Sequence, residues 1–140
     1  SEMFRLVQNE GLGMISQGAR EWTDYTVTAD VTPHLVSRAG VAARVQGLTR
    51  FYALVVTREQ KVQMLKCVHG ESVIAEADFA WSFGDTLEMT LSVVEDQLVG
   101  QVNGKTLLTA RDSSLDAGAA GLIVEDGRSA THKVRVSSSD

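Results

Sequence analysis

A chain of 140 residues with 13 basic and 18 acidic side chains, net charge −5, is long enough to bury one core without metals or cross-links. The acid excess, with its bases scattered, argues against nucleic acid or an anionic membrane as partner. A single cysteine, Cys67, excludes an internal disulfide, and no segment approaches the ~20 apolar residues of a membrane-spanning helix.

The start, Ser1-Glu2-Met3-Phe4-Arg5, puts charges where a signal peptide needs an apolar stretch, so a cytoplasmic setting is the expectation. Residues 1–10 are expected to be a terminal segment, at most a first edge strand. One domain is expected over 11–137, and a polar tail over 138–140.

From Tyr25 onward the pattern has period two. Tyr25, Val27, Ala29 and Val31 share one face, and Thr26, Thr28, Asp30 and Thr32 the other, as in a half-buried strand. Pro33 falls at its end, where a missing N–H does least harm. In the next strand Val41, Ala43 and Val45 fit a core face, which turns Ala42, Arg44 and Gln46 the other way. Small residues beside a planar, forked donor suggest a shallow groove for hydroxyls or carboxylates, with Arg44 and Gln46 in it. An arginine snorkelling over the sheet fits equally well.

Gly47-Leu48-Thr49 then reads as a hairpin loop. If the loop has three residues, Gln46 pairs with Arg50 and Arg44 stands opposite Tyr52, so both join one ligand site. With a fourth loop residue, Arg44 faces Ala53 and Tyr52 turns into the core.

The apolar run Phe51 to Val56 is a central strand. Lys66 and Cys67 follow on the next, Lys66 as a further candidate ligand residue and Cys67 as a buried, inert thiol. Ser72 to Trp81 has no clear helical stripe and is readable as a strand. Its Glu76-Ala77-Asp78-Phe79-Ala80-Trp81 is similar to the acidic strand of laminarinase-type glucanases. A second glutamate of that motif is replaced here by Trp81, so the carboxylate pair of a glycosidase is missing.

Leu87, Met89, Leu91 and Val93 alternate with polar residues in another strand. Gly100 to Thr106 mimics a phosphate-binding loop, but Asn103-Gly104 is a hairpin turn and Thr106-Leu107-Leu108 continues as strand. Turn signals recur about every ten residues, giving roughly twelve short strands, which must stack as two sheets. His34, His69 and His132 have no zinc spacing. A calcium site built from Asp24, Asp30, Glu125 and Asp126 at strand ends stays open, and no other cofactor is expected.

Trp22-Thr23-Asp24-Tyr25, Gly40-Val41-Ala42-Ala43-Arg44, Phe51-Tyr52-Ala53-Leu54, Gly121-Leu122-Ile123-Val124 and Val134-Arg135-Val136 together resemble the concanavalin A-like, laminin-G-like sandwich superfamily. Within it the chain looks most like the C-terminal sandwich of bacterial ADP-ribosylglycohydrolases and the levan-binding carbohydrate modules. The resemblance implies an all-β, two-sheet antiparallel jelly roll with a saccharide or nucleotide-sugar ligand on its concave sheet. It implies Arg44, Tyr52 and Glu125 as binding residues, and Trp22 and Trp81 as core. It also implies a non-catalytic accessory module beside a glycoside or ADP-ribosyl hydrolase on the parent chain. A structural or oligomerisation sandwich without a small ligand is the alternative.

Overall fold

The computed structural model describes residues 3–139, and the described residues form ten antiparallel strands and no helix. They are β1 (Met3–Gln17), β2 (Tyr25–Pro33), β3 (Arg38–Gly47), β4 (Arg50–Thr57), β5 (Lys61–Val68), β6 (Glu71–Asp78), β7 (Leu87–Val94), β8 (Gln97–Val102), β9 (Lys105–Arg111) and β10 (Ala119–Ser138). Ten strands stand where turn spacing predicts about twelve, because β1 and β10 are long enough to serve both sheets.

One sheet runs β6-β5-β4-β3, then residues 119–125 of β10, then residues 12–17 of β1. The other runs from residues 3–8 of β1 through residues 129–138 of β10 to β2, β7, β8 and β9. Both long strands bend between these halves, where the β1 register shifts between Gln8 and Leu12. The result is the jelly-roll sandwich.

Period-two patterning places the core. Tyr25, Val27, Ala29 and Val31 are buried against Val41, Ala43, Tyr52, Leu54, Met64, Met89 and Leu91 between the sheets. On the outward side of β2 the threonines make a hydroxyl ladder with β7: Thr26 to Ser92 at 2.8 Å, Thr28 to Thr90 at 3.2 Å. Such cross-strand pairs fix register. Asn103 and Gly104, with φ of 53° and 80°, turn β8 into β9 as a hairpin, so no phosphate loop exists there.

A second apolar layer covers the outward side of the first sheet. Ala42, Phe51, Ala53, Val55, Leu65 and Ile123 are all at most 2% exposed although they face away from the core, with Leu12, Met14 and Cys67 packed at their margin. A sheet face turned to solvent normally carries polar residues. This one has a dry floor roofed by long side chains.

Candidate functional site

The roof is built by pairing. Gly40 stands opposite Val55 and Ile123, Ala42 opposite Ala53 and Gly121, and Arg38 opposite Thr57 and Glu125, all on the outward face. The Arg38 guanidinium forks to Glu125 through Nε (2.9 Å) and Nη2 (2.6 Å). It also reaches Glu71 of the edge strand β6 through Nη1 (2.7 Å) and Nη2 (2.8 Å). The hydrogen bonds it donates to Glu71 hold the guanidinium cationic, against the cost of burial, and those to Glu125 add to them. Two carboxylates share one guanidinium, so the cluster keeps a net negative charge and free acceptor lone pairs.

At the β3–β4 end of the sheet, Gln46 accepts from Arg50 Nε (3.0 Å) and donates to Ala117 O (2.8 Å). Gln46 borders a cavity of about 440 Å³ shared with Met14, Ser16, Arg20, Leu48 and Ala119. Along the β6 side, Gln63 donates to Glu76 at 2.7 Å, and Lys61 pairs with Asp78. On the acidic strand Asp78 is paired with a cation and Glu76 is held by a neutral amide, while Trp81 spends its indole N–H on Thr57 O (2.9 Å).

The expected site residues divide between the two faces of this sheet. Glu125 lies on the outward face, and so does Val45, which was expected in the core, while Gln46 beyond the bulge bonds Arg50, a residue with the inward parity of Tyr52. Arg44, Tyr52 and Lys66 lie on the inner one. The expected register is corrected at this point: Gly47 pairs with Arg50 across a two-residue turn, and Tyr52 pairs with Ala43, while residues 44–46 bulge. Arg44 takes φ 49°, a left-handed conformation rare for a long side chain, and the bulge swings it inward. Arg44 and Tyr52 do share a face, but it is the inter-sheet face. The parity rule fails because it assumes an unbroken strand.

Arg44 is 1% exposed and each of its guanidinium nitrogens is bonded. Nε reaches Thr23 O (3.0 Å), Nη1 reaches Glu95 O (2.6 Å) and Leu115 O (3.1 Å), and Nη2 reaches Asp24 Oδ1 (3.0 Å). Its backbone N–H donates to the Tyr25 hydroxyl at 2.6 Å, and burial pushes that phenol up to about 12. Gly118 lies so close that a Cβ there would sit 2.4 Å from the Arg44 carbonyl carbon.

Beside it, the Tyr52 hydroxyl donates to Asp112 Oδ1 at 2.5 Å and accepts from Leu115 N–H at 3.1 Å. Burial, then Asp112, push its phenol up to about 12. Lys66 Nζ pairs with Asp112 Oδ2 at 2.7 Å. Burial raises the Asp112 carboxyl, but hydrogen bonds from Lys66, Tyr52 and Ser114 outweigh it and hold it down at about 2. This cluster is a latch closing one end of the sandwich.

Other expectations are corrected as well. Trp22 is 36% exposed, edge-on to Tyr25, whereas Trp81 is buried. Cys67 is half-buried at the outward floor, and burial and Glu71 raise its thiol, while Lys66 points to the opposite face. The four acids considered for calcium do not form a cage. Asp24 is spent on Arg44 and Glu95 N–H, Asp126 on Gly11 N–H and Ser37, and Glu125 on Arg38. Among the described residues no three His, Cys, Asp or Glu side chains converge.

Arg38 and Glu71 are the functional candidates that sequence reasoning missed. The signal for Arg38 was available: it has the parity of Ala42, the residue already assigned outward. Glu71 had none, because only the twist of the sheet brings a β6 corner to Arg38.

No protein-family model matches the chain, and no curated protein matches it in sequence. Solved structures match its fold. The carbohydrate-binding module CBM66 from Bacillus subtilis superposes with a TM-score of 0.87 at 21% identity, over 94% of this chain and 84% of that one. The Caenorhabditis elegans galectin LEC-6 superposes at 0.66 and 13% identity, over 95% of each chain. A fructosyltransferase from A. japonicus matches at 0.66 and 10% identity over 98% of this chain but only 26% of its own, so the same sandwich also forms part of a larger enzyme. The chain thus has the antiparallel jelly-roll sandwich fold of carbohydrate-binding modules and galectins.

Proposed function

We propose that this chain is a non-catalytic, lectin-like carbohydrate-binding module whose saccharide lies on the outward face of the β6-β5-β4-β3 sheet, at the Arg38 cluster. The observation that carries this reading is the outward cluster over the apolar layer, a guanidinium shared by two carboxylates that keep free acceptor lone pairs. A sugar has the complementary chemistry. Its hydroxyl groups donate to carboxylates and accept from guanidinium N–H groups. Fold neighbours named as a carbohydrate-binding module and as galectins support the same class of ligand. A role as accessory domain of a glycoside or ADP-ribosyl hydrolase, with a nucleotide sugar among its ligands, extends this reading.

The test is calorimetry against fructans, lactose and ADP-ribose, repeated with Arg38→Ala and Glu125→Gln. At least tenfold weaker binding of any hit is expected in both variants. Unchanged affinity overturns the site. Turnover of aryl glycosides, abolished by Glu76→Gln, overturns the non-catalytic assignment.

A further inference from the structure

The opposite sheet carries a second polar hollow that the saccharide reading does not use. On its outward face β1, β10 and β2 run side by side, with Arg5 opposite Ala130 and Ala130 opposite Thr32. Arg128 and His132 flank Ala130 at the positions two residues either way, so both are diagonal neighbours of Arg5, within reach of long side chains. His34 lies across from Arg128 and is fixed there by its backbone N–H on Arg128 O (2.9 Å), while Arg128 N–H reaches Leu35 O (3.2 Å). The small Ala130 leaves the middle empty. The cavity is about 530 Å³, lined by Arg5, Arg128, His34 and His132 with the hydroxyl residues Thr32 and Ser129, and no carboxylate lines it.

Two arginines and two imidazoles side by side repel or at best ignore each other, and they do so in a chain with net charge −5. Elsewhere Arg38, Arg44, Arg111 and Arg135 pair with acids, and Arg20, Arg50 and Arg58 donate to backbone or amide oxygens. Arg5 touches only the Met3 sulfur, at 3.3 Å, and neither Arg5 nor Arg128 has an ion pair among the described residues. The nearest acids by register are Asp30, opposite His132, and beyond it Glu88, which pairs with Arg135.

From this geometry we propose a second ligand site, centred on Ala130, that takes a tetrahedral oxyanion: a sulfate or phosphate group held by Arg5 and Arg128, with His34 and His132 donating ring N–H groups. Planar guanidinium forks match the oxygen spacing of such groups, and several donors around one anion share its charge.

The test is titration at low salt with inorganic sulfate, inorganic phosphate and a heparin-derived tetrasaccharide. It uses the wild-type chain, an Arg5→Gln/Arg128→Gln double variant and an Arg111→Gln control. Expected is binding of at least one probe, at least tenfold weaker in the double variant and unchanged in the control. Binding of the inorganic ions identifies a free-anion site, and binding of the tetrasaccharide alone identifies a sulfated glycan. Failure of all three probes, or equal affinity in wild type and double variant, overturns the site. Neutral sugar binding on the other sheet is expected to be unaffected by the double variant, which keeps the two readings separable. Both arginines are exposed, so the variants fold.

Discussion

Arg38 and Arg44 belong to one strand, β3, and do opposite jobs. Arg44 is sealed inside, with three carbonyls and a carboxylate around it. Arg38 is half-open, and both of its partners are carboxylates that water reaches. A buried guanidinium with every nitrogen bonded inside the protein fixes architecture. A guanidinium shared by two solvent-facing acids keeps the capacity to trade partners with a ligand. Residue type does not separate the two roles; burial and partner identity do.

The largest expected effect is at the latch. Arg44→Met strands Asp24 and three carbonyls and is expected to cost about 3–5 kcal/mol, as when one member of a buried pair is removed. Urea unfolding measures it, and a loss below about 1 kcal/mol would erase the distinction between the two arginines.

Asp112 sharpens the comparison through pH. Its folded carboxyl lies at about 2, below its ordinary value. The stability it supplies is therefore fully present above about pH 4 and is lost as pH falls toward 2, by about 2 kcal/mol. Unfolding free energies from pH 5 to 2 should show this slope, and Asp112→Asn should flatten it. Tyr52→Phe removes the acceptor for Leu115 N–H and the donor to Asp112, and is expected to cost about 1–2 kcal/mol by the same unfolding assay.

The smallest effect is expected on the outward face. Arg38→Ala should change stability by no more than about 1 kcal/mol, since partly exposed ion pairs contribute little. A loss matching that of Arg44→Met would make Arg38 a second structural bolt rather than a binding residue.

Much of the fold was legible in the sequence. Alternation along Tyr25 to Val31 and Leu87 to Val93 placed the core faces, Asn103-Gly104 placed a hairpin, and Pro33 marked the end of β2. The site was half legible. Glu125 stands on the outward face beside Arg38, but Arg44 turns inward and Val45 outward, because a bulge is a local backbone event that side-chain periodicity cannot register. Glu71 and the Arg5–Arg128 pairing depend on twist and on strands distant in sequence, which no local pattern encodes.

The double duty of β1 and β10 bears on how the chain folds. The runs β3 to β6 and β7 to β9 are built of neighbouring hairpins and close short loops, whereas joining Met3 to His132 or Leu12 to Glu125 closes almost the whole chain. Such closures carry the greatest entropic cost and slow folding. The hairpin blocks therefore form first and β10 stitches them together. β1 docks last, so its amides should be the first to exchange with solvent and the last to gain protection on refolding.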